Sequence, residues 1–212
     1  MDCAAILKLS RERYLRCESY EDTGVVEGFG TSESRMEFNT RFVRGENLSI
    51  EWRRTGESEA SRIWSDGTGT WSSYSFRHSL VQKVTNLTCE LDATAGVSSG
   101  LTCVIPPLLF GVHSPHCRLQ NATSFSQGPT ESVEGVSCYT MQAAVTEPTD
   151  IRIEFWISQN DHSIRKITET VSRTPERLST LNQIYERLTG AKRVQIPVTS
   201  RTRMSSPITT HR

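Results

Sequence analysis

Between residues 2 and 16, Cys3, Ile6, Leu7 and Leu9, then Tyr14 and Leu15, recur at spacings that fit one helical face. Lys8, Arg11, Glu12 and Arg16 fall mostly elsewhere, so the stretch predicts an opening amphipathic helix. From Ser19 the period drops to two. Tyr20 and Val25/Val26 lead to Gly28-Phe29-Gly30, and Met36, Phe38, Thr40 and Phe42 then alternate with Arg35, Glu37, Asn39 and Arg41. Each is a strand with one dry face. Arg44-Gly45-Glu46-Asn47 reads as a turn into Leu48, Ile50 and Trp52, which alternate with Ser49, Glu51 and Arg53 and complete an antiparallel hairpin. A second hairpin joins Arg62–Ser65 to Thr70–Tyr74 through Asp66-Gly67, a strong hairpin-turn dipeptide.

A helical period returns with Leu80, Val84, Leu87 and Leu91 on one stripe and Gly96 as its stop. Leu101, Val104, Ile105, Leu108 and Leu109 repeat it, and Pro106-Pro107 should break that run after about one turn, leaving a kinked apolar flap. Gly111 to Gly128 reads as loop. Strands resume at Val136–Val145, at Ile151–Ile157 (Ile151, Ile153, Phe155 and Ile157 against Arg152, Glu154, Trp156 and Ser158), and at Ser163–Val171 after the turn Gln159–His162. Pro175 to Gly190, with Leu178, Leu181, Tyr185 and Leu188, fits a helix, a strand near Ile184 being the alternative. The expected fold class is α+β: a strongly curved antiparallel sheet of about nine to eleven strands, an open half-barrel, covered by short helices. Residues 1–190 form one domain and 191–212 a basic, disordered tail.

The 212 residues carry 24 Lys+Arg and 24 Asp+Glu, which weighs against nucleic acid as a partner held by bulk charge. That balance hides a split, because Lys192, Arg193, Arg201, Arg203 and Arg212 stand in the tail with no acid. No apolar run approaches the roughly 20 residues that span a bilayer, so the chain is not expected to be an integral membrane protein. Asp2 sits where an export signal carries positive charge, which leaves the cytoplasm open as a compartment. Six cysteines without a C-x-x-C pair point the other way, to an oxidising compartment. Of the pairings open to them, Cys103 with Cys117 is favoured, since it closes a loop of about 15 residues.

Gly96-Val97-Ser98-Ser99-Gly100 matches the serine nucleophile elbow, which requires a preceding buried parallel strand; the residues before it read as helix, so a helix stop and cap is the better reading. His113, His116 and Cys117 offer zinc-type ligands, but Pro115 fixes their loop and no carboxylate lies near in sequence. No metal, cofactor or catalytic residue is expected. Gly28-Phe29-Gly30 and Gly67-Thr68-Gly69 are turns, without the strand and helix of a phosphate cradle. A curved sheet with one apolar face under a Pro-kinked flap is a shape that encloses a hydrophobic cavity.

Cys17–Gly24, Phe38–Arg44, Ile63–Gly67, Ala95–Gly100, Val136–Tyr139 and Phe155–Ile157, in the order helix, meander, central helices, meander, resemble segments of the lipoprotein-carrier (LolA/LppX/RseB-like) superfamily over about residues 3 to 170. The resemblance is to an uncharacterised bacterial branch. It implies a half-barrel with a helical lid in the periplasm or cell envelope, and non-catalytic binding of an acyl chain or other hydrophobic small molecule between them. The side chains that period places there are Phe38, Phe42, Ile50 and Trp52 on the sheet and Leu101, Val104, Ile105, Leu108 and Leu109 on the lid. Two alternatives stand beside it: an RseB-like sensor or scaffold that binds a protein partner, and a serine hydrolase using Ser98.

Overall fold

A computed structural model describes residues 2–29, 34–45, 47–66, 68–78, 80–114, 117–145, 150–172 and 199–205. The first helix, α1 (Cys3–Arg16), starts because Asp2 caps it, its carboxylate accepting the Ala5 N–H at 2.8 Å. It buries Ile6, Leu7, Ser10 and Tyr14. Six antiparallel strands follow: β1 (Ser19–Phe29), β2 (Ser34–Val43), β3 (Asn47–Arg54), β4 (Ser61–Ser65), β5 (Thr70–Ser73) and β6 (Gln82–Val84). Register places Phe38 opposite Trp52 and Phe42 opposite Leu48, so the alternation read from the sequence becomes one apolar face.

Two short helices, α2 (Leu87–Ala93) and α3 (Ile105–Phe110), then cross the sheet, with a 3-10 turn at Leu101–Cys103 between them. The second half is a five-strand array: β7 (Thr123–Gln127), after the single turn α4 (Arg118–Asn121), then β8 (Glu131–Val133), β9 (Val136–Val145), β10 (Asp150–Ser158) and β11 (Ile164–Ser172). A twelfth strand, β12 (Thr199–Ser205), pairs antiparallel with β1 on one side and β11 on the other, joining the two arrays in the order β6-β5-β4-β3-β2-β1-β12-β11-β10-β9-β7. The fold is α+β, an open curved antiparallel sheet with short helices on its apolar face. Ile6, Tyr14, Phe38, Ile50, Leu109, Leu119, Ile153, Phe155 and Ile157 belong to one buried cluster fed by both arrays, α1 and the lid helices.

Four sequence expectations are corrected. The stripe from Leu80 is not one helix: Gln82–Val84 is an edge strand, and α2 begins only after Asn86, whose side chain accepts the Cys89 N–H at 3.1 Å. Pro106 and Pro107 do not break a helix but start one, standing in the first turn of α3 where a missing N–H costs nothing, and the helix ends at Gly111 (φ 63°). The stretch 111–128, expected as loop, contains α4 and β7. Residues 199–205, assigned to a disordered tail, are β12; an alternating segment there supplies hydrogen-bond partners to two strands whose edges are otherwise open. The helix expected over 175–190 and the rest of 191–212 lie outside the described residues.

Candidate functional site

The lid crosses the first array on the side of Phe38, Phe42, Ile50 and Trp52. All four are at most 5% exposed, and so, within 8%, are Leu101, Val104, Ile105, Leu108 and Leu109 from the lid. These nine sequence-selected residues stand in one cluster. Phe110, at the end of α3, meets Phe42 edge to face at a centroid distance of 5.3 Å. Between lid and sheet remains a gap of about 20 Å³, lined by Phe38, Thr40, Leu101, Val104, Ile105 and Pro106, with Asp22 and Ile164–Ile167 closing its far side. That is room for about one water, so sheet and lid are in contact as the chain stands.

Period alone missed three features of this interface. The second wall comes from the far array, where Ile153, Phe155, Ile157, Ile164 and Ile167 are buried; the alternation of residues 151–157 carried that signal. A polar spot lies in it. Asp22, 3% exposed, accepts a hydrogen bond from Tyr20 Oη at 2.9 Å and faces Thr40 across β1 and β2. Burial, with Asp22 beside it, pushes the Tyr20 hydroxyl well above its ordinary range, so it stays a donor to that carboxylate. Arg44 is the third. Its guanidinium donates to the carbonyls of Leu15 at 2.7 Å, Cys17 at 3.1 Å, Leu109 at 3.3 Å and Tyr14 at 3.4 Å, and lies 5.3 Å over the Phe42 ring. These are carbonyls at and just beyond the C-terminal ends of α1 and α3, where helical donors run out and only Tyr14 also accepts a backbone N–H, from Cys17 at 3.3 Å, so one cation closes both helices and holds the lid to α1.

Ser98 is fully buried, its hydroxyl 3.0 Å from Thr102 Oγ1, which donates to the Leu91 carbonyl at 2.9 Å. The serine therefore ties the α2–α3 connection together, and no parallel strand precedes it as the elbow requires, every strand pairing among the described residues being antiparallel. Cys117 is buried at the start of α4 while His113 is exposed; His116 lies outside the described residues. No disulfide joins Cys103 to Cys117, the pairing expected from the sequence, and both cysteines are buried. Cys117 Sγ instead approaches the Val104 carbonyl at 4.0 Å and Cys103 Sγ the Leu91 carbonyl at 3.8 Å. No described helix is long and apolar enough to cross a membrane. A wider opening, of about 570 Å³, lies across β1–β3 with Glu37, Glu51 and Arg53 in its lining, residues that alternate with the buried Phe38 and Trp52 and so belong to the opposite, polar face.

No family model matches the chain, and no curated protein sequence matches it. In three dimensions it is similar to LppX, a lipoprotein of Mycobacterium tuberculosis, at 11% identity and a TM-score of 0.50 over 97% of this chain and 94% of that one. A LolA superfamily protein from Nitrosomonas europaea (10% identity, TM-score 0.38, 97% and 91% covered) and MucB (11%, 0.46, 95% and 56%) are also similar. At these identities the likeness is one of fold: over nearly the whole of both chains, this chain has the fold of LppX.

Proposed function

We propose that the chain is a non-catalytic carrier in the cell envelope, which takes up the acyl chain of a lipid or another amphiphile between the concave sheet and its helical lid. The observation that carries this reading is the lid itself. Helices of seven and six residues, α2 and α3, are far below the length at which a helix is stable alone, so what holds them down is apolar contact with the sheet. An acyl chain offers the same contact. It would slide between Phe38, Phe42, Ile50 and Trp52 below and Leu101, Val104, Ile105, Leu108 and Leu109 above, exchanging lid-to-sheet contact for lid-to-cargo and sheet-to-cargo contact. The net gain is the extra apolar area covered, at about 25 cal/mol per Å². Since the gap is now about 20 Å³, uptake requires the lid to lift.

Native mass spectrometry of protein purified without detergent is expected to show added mass that dissociates as an amphiphile, and the purified chain is expected to take up a fluorescent fatty acid. Leu108→Trp, which overfills the lid contact, should lower stability by about 1–3 kcal/mol and reduce uptake. Protein that carries no amphiphile and ignores the probe would overturn the reading. Specific capture of one protein partner in that case would put the RseB-like scaffold in its place.

A further inference from the structure

The hairpin β5–β6 at the sheet edge carries large apolar side chains that its own fold does not cover. Phe76 is 57% exposed, Leu80 63% and Val81 57%, all within one connection. Cations flank them. Arg77 lies 5.7 Å over the Phe76 ring, and Lys83 is paired in register with Trp71, whose ring stacks on Trp64 at 6.4 Å. The sequence has no Asp or Glu from Gly67 to Cys89. Glu57 and Glu90 reach this connection from neighbouring elements, Glu57 accepting from Ser75 Oγ at 3.0 Å and Glu90 from the Tyr74 hydroxyl, both on its inner side chains and not on Phe76, Leu80 or Val81.

We infer that this hairpin docks the protein on an anionic lipid surface, Phe76, Leu80 and Val81 entering the headgroup boundary while Arg77 and Lys83 meet the lipid phosphates. Charge decides for lipid: exposed apolar side chains on a stretch whose only formal charges, from Gly67 to Cys89, are the cations Arg77 and Lys83 match an anionic bilayer face, where aromatic rings with polar neighbours settle at headgroup depth. Area decides against a folded partner. Three side chains on one short connection fall well short of the roughly 800 Å² that a stable protein interface covers on each side. The three-residue edge strand β6 is likewise a poor template for strand addition. The inference rests on this surface and not on the cargo reading.

Vesicle sedimentation of the full chain tests it, with phosphatidylcholine vesicles that do or do not contain about one-third phosphatidylglycerol. The wild type is expected to sediment with the anionic vesicles, less so as salt is raised. Phe76→Ser/Leu80→Ser/Val81→Ser should weaken partitioning by about tenfold or more, and Arg77→Glu/Lys83→Glu by about fivefold for each cation removed. Should the triple variant misfold by circular dichroism, the charge-reversed pair decides. Wild type that stays in the supernatant, or variants that bind as it does, would overturn the inference. So would concentration-dependent self-association abolished by the same substitutions without vesicle binding, which would make the face a contact between copies. Fatty-acid uptake is read separately on each protein: docking without uptake removes the carrier reading and leaves this one, and uptake without docking does the reverse.

Discussion

Asp161 joins α1 to the turn before β11: its carboxylate lies 3.1 Å from Arg13 and accepts from Ser163 Oγ at 2.7 Å. Desolvation pushes its acidity toward neutral. Hydrogen bonds from Ser163 and Ser158 and the charge of Arg13 outweigh that, and the net direction is below the ordinary 3.8. A carboxyl lowered on folding stabilises above its unfolded value and stops doing so as pH falls through the folded one. Stability should therefore decline below about pH 4, and Asp161→Asn should flatten that limb in denaturant titrations run across acid pH. Tyr14 acts by shape rather than charge. Fully buried, it accepts the Ile164 backbone N–H at 2.9 Å, linking residues that are distant in sequence. Tyr14→Phe should cost about 1–3 kcal/mol in urea unfolding, because a buried N–H then loses its acceptor. A cost near zero would mean that water reaches Ile164.

Among the elements, α3 is the one whose hold on the molecule is easiest to loosen. Arg44→Met keeps an apolar stem but removes the guanidinium over Phe42 and its donors to the ends of α1 and α3. Stability should fall by about 1–3 kcal/mol, while uptake of a fluorescent fatty acid should become faster, a pairing that simple unfolding does not produce. Gly111→Ala strikes the same joint from the other side. At φ 63° an added Cβ would also stand 2.7 Å from Leu15 Cδ1, so a loss of about 1–2 kcal/mol is expected in thermal unfolding. The strands and α1 were legible because their periods answer to burial: Phe38 and Trp52 face the core, and Glu37 and Glu51 do not. The stripe at Leu80 misled because Leu80 faces solvent, so its spacing from Val84 and Leu87 reflects no shared buried face. Pro106-Pro107 misled by position, since proline stops a helix in its interior and starts one in its first turn. Arg44 closes the segment Phe38–Arg44, but its role depends on Leu15 and Leu109 meeting in space, which no period records.

On the scale of the whole molecule, β12 turns two arrays into one sheet. A chain stopped at residue 190 should aggregate more readily and melt lower, with amide exchange accelerated at Val25–Phe29 and Lys166–Ser172, the partners that β12 covers. Unchanged exchange there would show that each array holds its edge alone. Because β12 is inserted at the centre rather than added at a rim, the middle of the sheet is filled by a segment made after nearly everything it joins. At about 5–20 residues per second, β1 waits on the order of ten seconds for its neighbour during synthesis. Through that interval the nascent chain carries an open seam. The late strand of one molecule fits the seam of another equally well, so crowded, slowly finished chains of this protein should pass through swapped dimers, and a chaperone that covers β1 until synthesis ends should set the yield of monomer.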